Sequence, residues 1–132
     1  MLASLVPPLT LPRARVEPIR TAPEALSVVS LAISRPLREE LVVITCDRFD
    51  AGQSIAVFGM RTNLEQLAHD VVGFVSSSPI ATGVIIAVVQ PTGSPLAHDH
   101  VEHALSSCLS RAGLRLLHFF TVRHGDVSRA RQ

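Results

Sequence analysis

Two stretches of the chain are almost entirely apolar, and both are typical of strands buried on two faces. Leu41–Cys46 and Gly83–Val89 are rich in β-branched residues. A third apolar stretch, Leu116–Val122, follows a helical segment that ends near Gly113. A strand, a helix and a strand in this order indicate a parallel pair joined by a crossover helix. The pattern therefore predicts an α/β fold.

Three segments repeat apolar residues every three or four positions, as amphipathic helices do. The first begins at Thr21, because Glu24 stands at the spacing of a capping box, and Pro36 ends it. Thr62 and Glu65 have the same spacing at the start of the second helix. Both helices are therefore expected to begin at a threonine cap.

The remaining elements complete the architecture. The third helix begins at Ser94 or at Asp99, since both residue types are common N-caps, and Gly113 is a natural end for it. Ser54–Met60 is a strand, and its short connection to the preceding strand allows only an antiparallel hairpin. We expect a single α/β domain with a four-stranded mixed sheet, in the element order αββαβαβ, and helices packed on that sheet.

The domain occupies residues 21–125 in this interpretation. Residues 1–20 contain four prolines, which exclude a regular helix and favour an extended, proline-rich arm. Residues 126–132 are interpreted as a polar tail. A chain of 132 residues is long enough to bury a core without metals or disulfides.

The number of helices raises the question of how the sheet is covered. If the strands follow one another in sequence order, right-handed crossovers place the second and third helices on one face, and only the first remains for the other. Either the sheet order reverses, or a second copy of the chain completes one face. The second alternative predicts a homodimer with an apolar interface.

Composition argues against two classes of partner. The net charge is +1, all twelve basic residues are scattered arginines, and Trp and Tyr are absent, so we expect no nucleic-acid partner. No apolar run is long enough to span a bilayer, so we expect no membrane partner. Cys46 and Cys108 lack metal-ligand spacing and are interpreted as buried apolar residues, which favours a reducing, cytoplasmic setting.

Three segments resemble a known family. Arg20–Leu26, Glu40–Ile44 and Arg111–Leu117, together with the element order, resemble the bacterial family called "domain of unknown function 4192" over roughly residues 20 to 125. That family similarly opens with an Arg-Ser/Thr-Pro-x-Asp/Glu-Leu helix start, which a Leu-Val-Val-Val strand, a hairpin and an α/β unit follow. Ala22 is an extra residue here, and the chain ends soon after the fourth strand. The resemblance implies an α/β fold and assigns no activity.

A histidine cluster opens the third helix. His98, His100 and His103 lie within six residues, and the last two are one helical turn apart, so they are candidate ligands of one metal ion. The alternative is a polar, solvent-facing first turn, in which Asp99 and Glu102 favour the positive end of the helix dipole.

The second candidate site is the edge of the sheet where parallel strands end, because ligands of open α/β sheets bind there. Free N–H groups of two helix starts and an arginine would suit a phosphate or carboxylate. An ordinary strand-to-helix loop is the alternative. The candidate ligand-binding residues at this edge are Arg61, Thr62, Gln90, Thr92, Ser94 and Arg123.

Two functions follow from these observations. The leading hypothesis is a non-enzymatic cytoplasmic protein that associates with itself or with another protein through an apolar face. The alternative is a small-ligand or anion-binding domain, or an enzyme, that uses the strand-end edge. Catalytic residues and cofactors are left open, because no nucleophile elbow or paired carboxylates are present.

Overall fold

The computed structural model of the chain describes residues 17–33, 37–59, 63–91, 98–123 and 126–129. They form an α/β domain, as predicted. The helices are α1 (Ala22–Ser30), α2 (Leu64–Ser76) and α3 (His98–Arg111). The strands are β1 (Glu40–Cys46), β2 (Gly52–Gly59), β3 (Gly83–Val89), β4 (Arg115–Arg123) and β5 (Asp126–Arg129).

The strands form one mixed sheet in the order β2-β1-β3-β4-β5. The predicted β1–β2 hairpin and the parallel β3–β4 pair are both present, whereas β1 pairs with β3 in the antiparallel direction. The strands do not follow sequence order, because β1 lies between β2 and β3. The crossover through α2 therefore passes over β1. Short β5, which pairs antiparallel with β4, lies in the segment interpreted as a polar tail.

Helices cover both faces of the sheet. Although the strands do not follow sequence order, α2 and α3 share one face, where Leu67 and Leu105 pack in the same cluster as Ile86 of β3. On the opposite face α1 packs through Ala25 and Val29. We call these the α2/α3 face and the α1 face.

The central strands are covered within a single chain. Every residue of β1 and β3 is buried. On the α1 face, Ile19 extends the cover beyond the helix, and its backbone N–H donates to the Asp50 carbonyl oxygen at 2.8 Å. Burial of these strands therefore does not require a second copy, which removes the reason from which the homodimer was predicted.

The predicted capping box of α1 is confirmed. The Glu24 N–H donates to Thr21 Oγ1 at 3.2 Å, and the Thr21 N–H donates to Glu24 Oε1 at 3.1 Å. The predicted end at Pro36 is wrong, because α1 ends at Ser30. The Ser30 hydroxyl donates to the Ser27 carbonyl oxygen at 2.8 Å, within the last turn of the helix.

The caps of the other helices correct two predictions. α2 is capped by Asn63, not Thr62, since Asn63 Oδ1 accepts from the Gln66 N–H at 3.1 Å. Asp99 lies one residue inside α3 and is not its cap, whereas Ser94 lies outside the described residues. The predicted end at Gly113 is confirmed, and its φ of +77° is a conformation that glycine adopts without strain.

The cap at Asn63 gives a testable prediction. Asn63→Ala leaves the first turn of α2 without its side-chain acceptor and should lower the free energy of unfolding by about 1 kcal/mol. Urea denaturation followed by circular dichroism measures this change. Asn63→Asp is the control, because aspartate caps as well as asparagine. Equal losses in both variants would contradict the assignment of the cap.

Candidate functional site

The carboxyl ends of three strands meet at one edge of the sheet, as the sequence predicted. Glu40 at the start of β1 pairs with Gly59 on one side and with Val89 on the other. Val89 in turn pairs with Val122 of β4. β2, β3 and β4 therefore run in the same direction and end at the same level, which we call the carboxyl edge.

Two of the six predicted edge residues are described, and the structure brings them together. The Gln90 N–H donates to the Val122 carbonyl oxygen at 2.8 Å, which places Gln90 beside Arg123 at the end of β4. Gln90 is only 1% exposed, and Arg123 is half-buried. Four predicted members lie outside the described residues, namely Arg61, Thr62, Thr92 and Ser94.

Thr121 is a further member of this edge that the sequence analysis missed. Phe119 packs on the α2/α3 face of the sheet. Because side chains alternate along a strand, Thr121 and Arg123 lie on the α2/α3 face as well. Thr121 is 2% exposed, yet its Oγ1 has no hydrogen-bond partner. Arg123 Nε is also buried without a partner. A buried donor without an acceptor lowers the stability of the folded state, and two such donors lie together at this edge.

The opposite edge of the sheet is different, because its polar groups bind one another. Arg115 begins β4, and its Nη2 lies 3.0 Å from Asp50 Oδ1 and 3.3 Å from Thr82 Oγ1. Asp47 Oδ1 accepts from the Phe49 N–H at 2.8 Å. These contacts tie the β1–β2 loop to the start of β4, and their role is structural.

The structure describes the side chains of two of the three predicted metal ligands. His100 and His103 are exposed on the first turns of α3, and the side chain of His98 lies outside the described residues. Within the described part of the chain, no group of three His, Cys, Asp or Glu residues is arranged to hold a metal ion.

A groove of 450 Å³ lies between α2 and α3. Cys108, predicted to be buried, is half-buried there, because it stands at the margin of the α2/α3 core. Arg111 Nη2 donates to Cys108 Sγ at 3.3 Å, and His69 and Glu65 complete the polar lining. The sequence gives no signal of this groove, since its residues come from two helices.

The outer strand β2 carries exposed apolar side chains. Ile55 and Val57 are 43% and 47% exposed, and they face Ile44 and Val42 of β1, which places them on the α1 face. Among the described residues, β2 pairs with β1, and an isolated antiparallel bridge joins Pro18 to Ala51, just before the first residue of β2. None of its eight residues is charged. We call this outer strand of the described sheet the β2 edge.

Neither a protein-family model nor a curated protein matches the chain. Membership of the "domain of unknown function 4192" family therefore stays a prediction, while the α/β fold that it implies is present. In the described part of the chain, every helix falls short of the length and apolar character that a bilayer crossing requires.

The two cysteines are expected to differ in reactivity. Burial, with the nearby Asp50 and Asp47 carboxylates, raises the pKa of the Cys46 thiol to about 12, so at pH 8 roughly one Cys46 in ten thousand is ionised. In the native protein, iodoacetamide should alkylate the half-buried Cys108 and spare Cys46, as peptide mass spectrometry would show. Cys108→Ser should leave the native protein unlabelled. Equal labelling of both thiols would contradict this difference.

Proposed function

We propose that the chain is a self-associating domain in which the β2 edge pairs with the β2 edge of a second copy. The observation that carries this proposal is the exposure of Ile55 and Val57 on an outer strand without charged residues. Exposed, uncharged outer strands readily add a further strand, since their backbone N–H and C=O groups are free on one side.

The other outer strand of the sheet supports this choice by contrast. β5 has four residues, and two of them, Asp126 and Arg129, are charged. Short length and charge are the usual means by which proteins prevent edge-to-edge pairing. The β2 edge is twice as long and has neither protection.

A second copy fits the β2 edge because antiparallel pairing of two identical strands obeys two-fold symmetry. Each copy then presents the same residues, and one sheet continues through both molecules. Ile55 and Val57 of each copy would lie on the α1 face of that sheet, where cross-strand contact removes them from water.

The proposal includes a cytoplasmic setting for this assembly. Cys46 and Cys108 are both free thiols, and the burial of Cys46 within the core suits a compartment that keeps thiols reduced. Proposed membership of the "domain of unknown function 4192" family agrees with the observed order of helices and strands.

Ile55→Glu should convert the dimer to a monomer, because it places a carboxylate from each copy in an otherwise apolar interface. We expect the dimer dissociation constant to rise about 100-fold or more, as sedimentation velocity over a concentration series would show. Ile80→Glu is the matched control, since Ile80 is 53% exposed but lies in the loop after α2.

Three outcomes decide this proposal. A dimeric wild type, a monomeric Ile55→Glu and a dimeric Ile80→Glu support it. A wild type that stays monomeric at high concentration contradicts self-association. A dimer that both glutamate variants leave intact contradicts the β2 edge as its interface.

A further inference from the structure

The backbone of β2 determines how two copies can meet at the β2 edge. We propose that the two β2 strands pair with Ala56 on the two-fold axis, so that Ile55 of each copy lies opposite Val57 of the partner subunit. This inference rests on the self-association proposed above and specifies its register. The hydrogen-bond directions, the Pro18 bridge and the side chains of β2 each restrict the possible registers.

The hydrogen bonds between β3 and β4 show which way the neighbouring backbone groups point. The Gln90 N–H donates to the Val122 carbonyl oxygen, and Val122 is in register with Val89. In a parallel pair this pattern turns the backbone groups of Val89 away from β4 and toward β1, on the other side of β3. Val89 is in register with Glu40, so the backbone groups of Glu40 point to β3.

The same alternation decides which backbone groups of β2 are directed outward. Neighbouring residues of a strand direct their N–H and C=O groups to opposite sides, so the next residue of β1, Leu41, bonds to β2. Its partner there is Phe58, so Phe58 and Ala56 point to β1. Ile55 and Val57 therefore point to the outer side of the sheet. A ladder forms only when outward-directed residues pair with one another, which places the two-fold axis at a residue of β2.

A segment before α1 limits the partner strand at one end. Pro18 forms an antiparallel bridge with Ala51, the residue before β2. The Asp47 N–H donates to the Ala51 carbonyl oxygen at 3.1 Å on the β1 side, so Pro18 lies on the outer side. With the axis at Ile55, Gly59 of the partner subunit would lie opposite Ala51, where Pro18 already stands. Registers centred at Ile55 or nearer the start of β2 are therefore excluded.

Side chains on the α1 face distinguish the registers that remain. With the axis at Ala56, Ile55 and Val57 lie opposite each other on both sides of the axis, so each exposed aliphatic side chain has an aliphatic neighbour. With the axis at Val57, Ile55 lies opposite Gly59, which has no side chain. With the axis at Phe58 or beyond, Ile55 lies past the end of the partner's strand. The register at Ala56 therefore removes the most apolar surface from water.

The α2/α3 face also accommodates this register. Phe58 packs against the α2/α3 cluster, and alternation places Ala56 and Ser54 on the same face. Ala56 then lies opposite its own copy, where only a methyl group has to fit. Phe58 lies opposite Ser54 of the partner subunit, whose hydroxyl is 2.6 Å from Thr45 Oγ1 in its own chain. Covering this hydroxyl leaves it hydrogen-bonded.

Disulfide cross-linking tests the register. The background is Cys108→Ser, which removes the half-buried native thiol. Single thiols are introduced at three candidate axis positions and at an exposed loop position as control, namely Ile55→Cys, Ala56→Cys, Val57→Cys and Ile80→Cys. Sedimentation velocity under reducing conditions first establishes that each variant is a dimer. With diamide, Ala56→Cys should cross-link at least about ten times faster than the others, because a residue on the axis faces itself at nearly the Cβ separation of a disulfide.

Methyl contacts between copies check the register in the wild-type sequence. In a dimer mixed from carbon-13-labelled and unlabelled chains, isotope-filtered spectra should show nuclear Overhauser effects between Ile55 and Val57 of the partner subunit. This measurement decides the register if a cysteine variant does not dimerise.

The outcomes separate the register from self-association itself. Fastest cross-linking at Ile55 or Val57, or contacts between the two Val57 side chains without Ile55–Val57 contacts, overturns the register and leaves the β2 edge as the interface. A dimer in which none of the three positions exceeds the Ile80 control overturns both the register and the edge. A wild type that stays monomeric contradicts self-association, and the register fails with it.

Discussion

The structure depends on the burial of two strands on both of their faces. β1 and β3 lie next to each other in the sheet, and all fourteen of their residues, seven in each strand, are buried. Apolar surface on both sides of a sheet must be covered, and each aliphatic side chain that leaves water contributes about 1.5–3 kcal/mol. This requirement places α2 and α3 on one face and α1 with Ile19 on the other. The polar and exposed residues are consequently left to the outer strands and to the ends of the strands.

The same requirement explains which parts of the fold the sequence predicts. β1 and β3 are recognisable because a continuous run of β-branched apolar residues is stable only when buried on both sides. β5 is not recognisable from the sequence, since a four-residue strand with two charged residues has no hydrophobic pattern of its own. It forms because it pairs with the outer side of β4. The sequence alone also does not decide between Thr62 and Asn63 as the cap, because threonine and asparagine are both common N-cap residues.

The candidate site was predictable to a similar degree. Gln90 and Arg123 are found from sequence because they follow apolar runs, and residues in that position reach the carboxyl edge. Thr121 is not found from the sequence, because threonine has the shape of valine. Within an apolar strand it is therefore interpreted as a core residue. Only the three-dimensional structure shows that its hydroxyl lacks an acceptor. The prediction that Cys108 is buried is wrong for a related reason, since helical periodicity does not distinguish the centre of a core from its margin.

The two outer strands of the sheet are unequal, and this inequality limits the stoichiometry of any assembly. A sheet with two bare sides would add copies indefinitely and grow into a filament. Here one side ends in a short strand that contains Asp126 and Arg129. In the proposed dimer, the β2 edge of each copy would be occupied by the other, so the assembly would end at two copies and would not polymerise further.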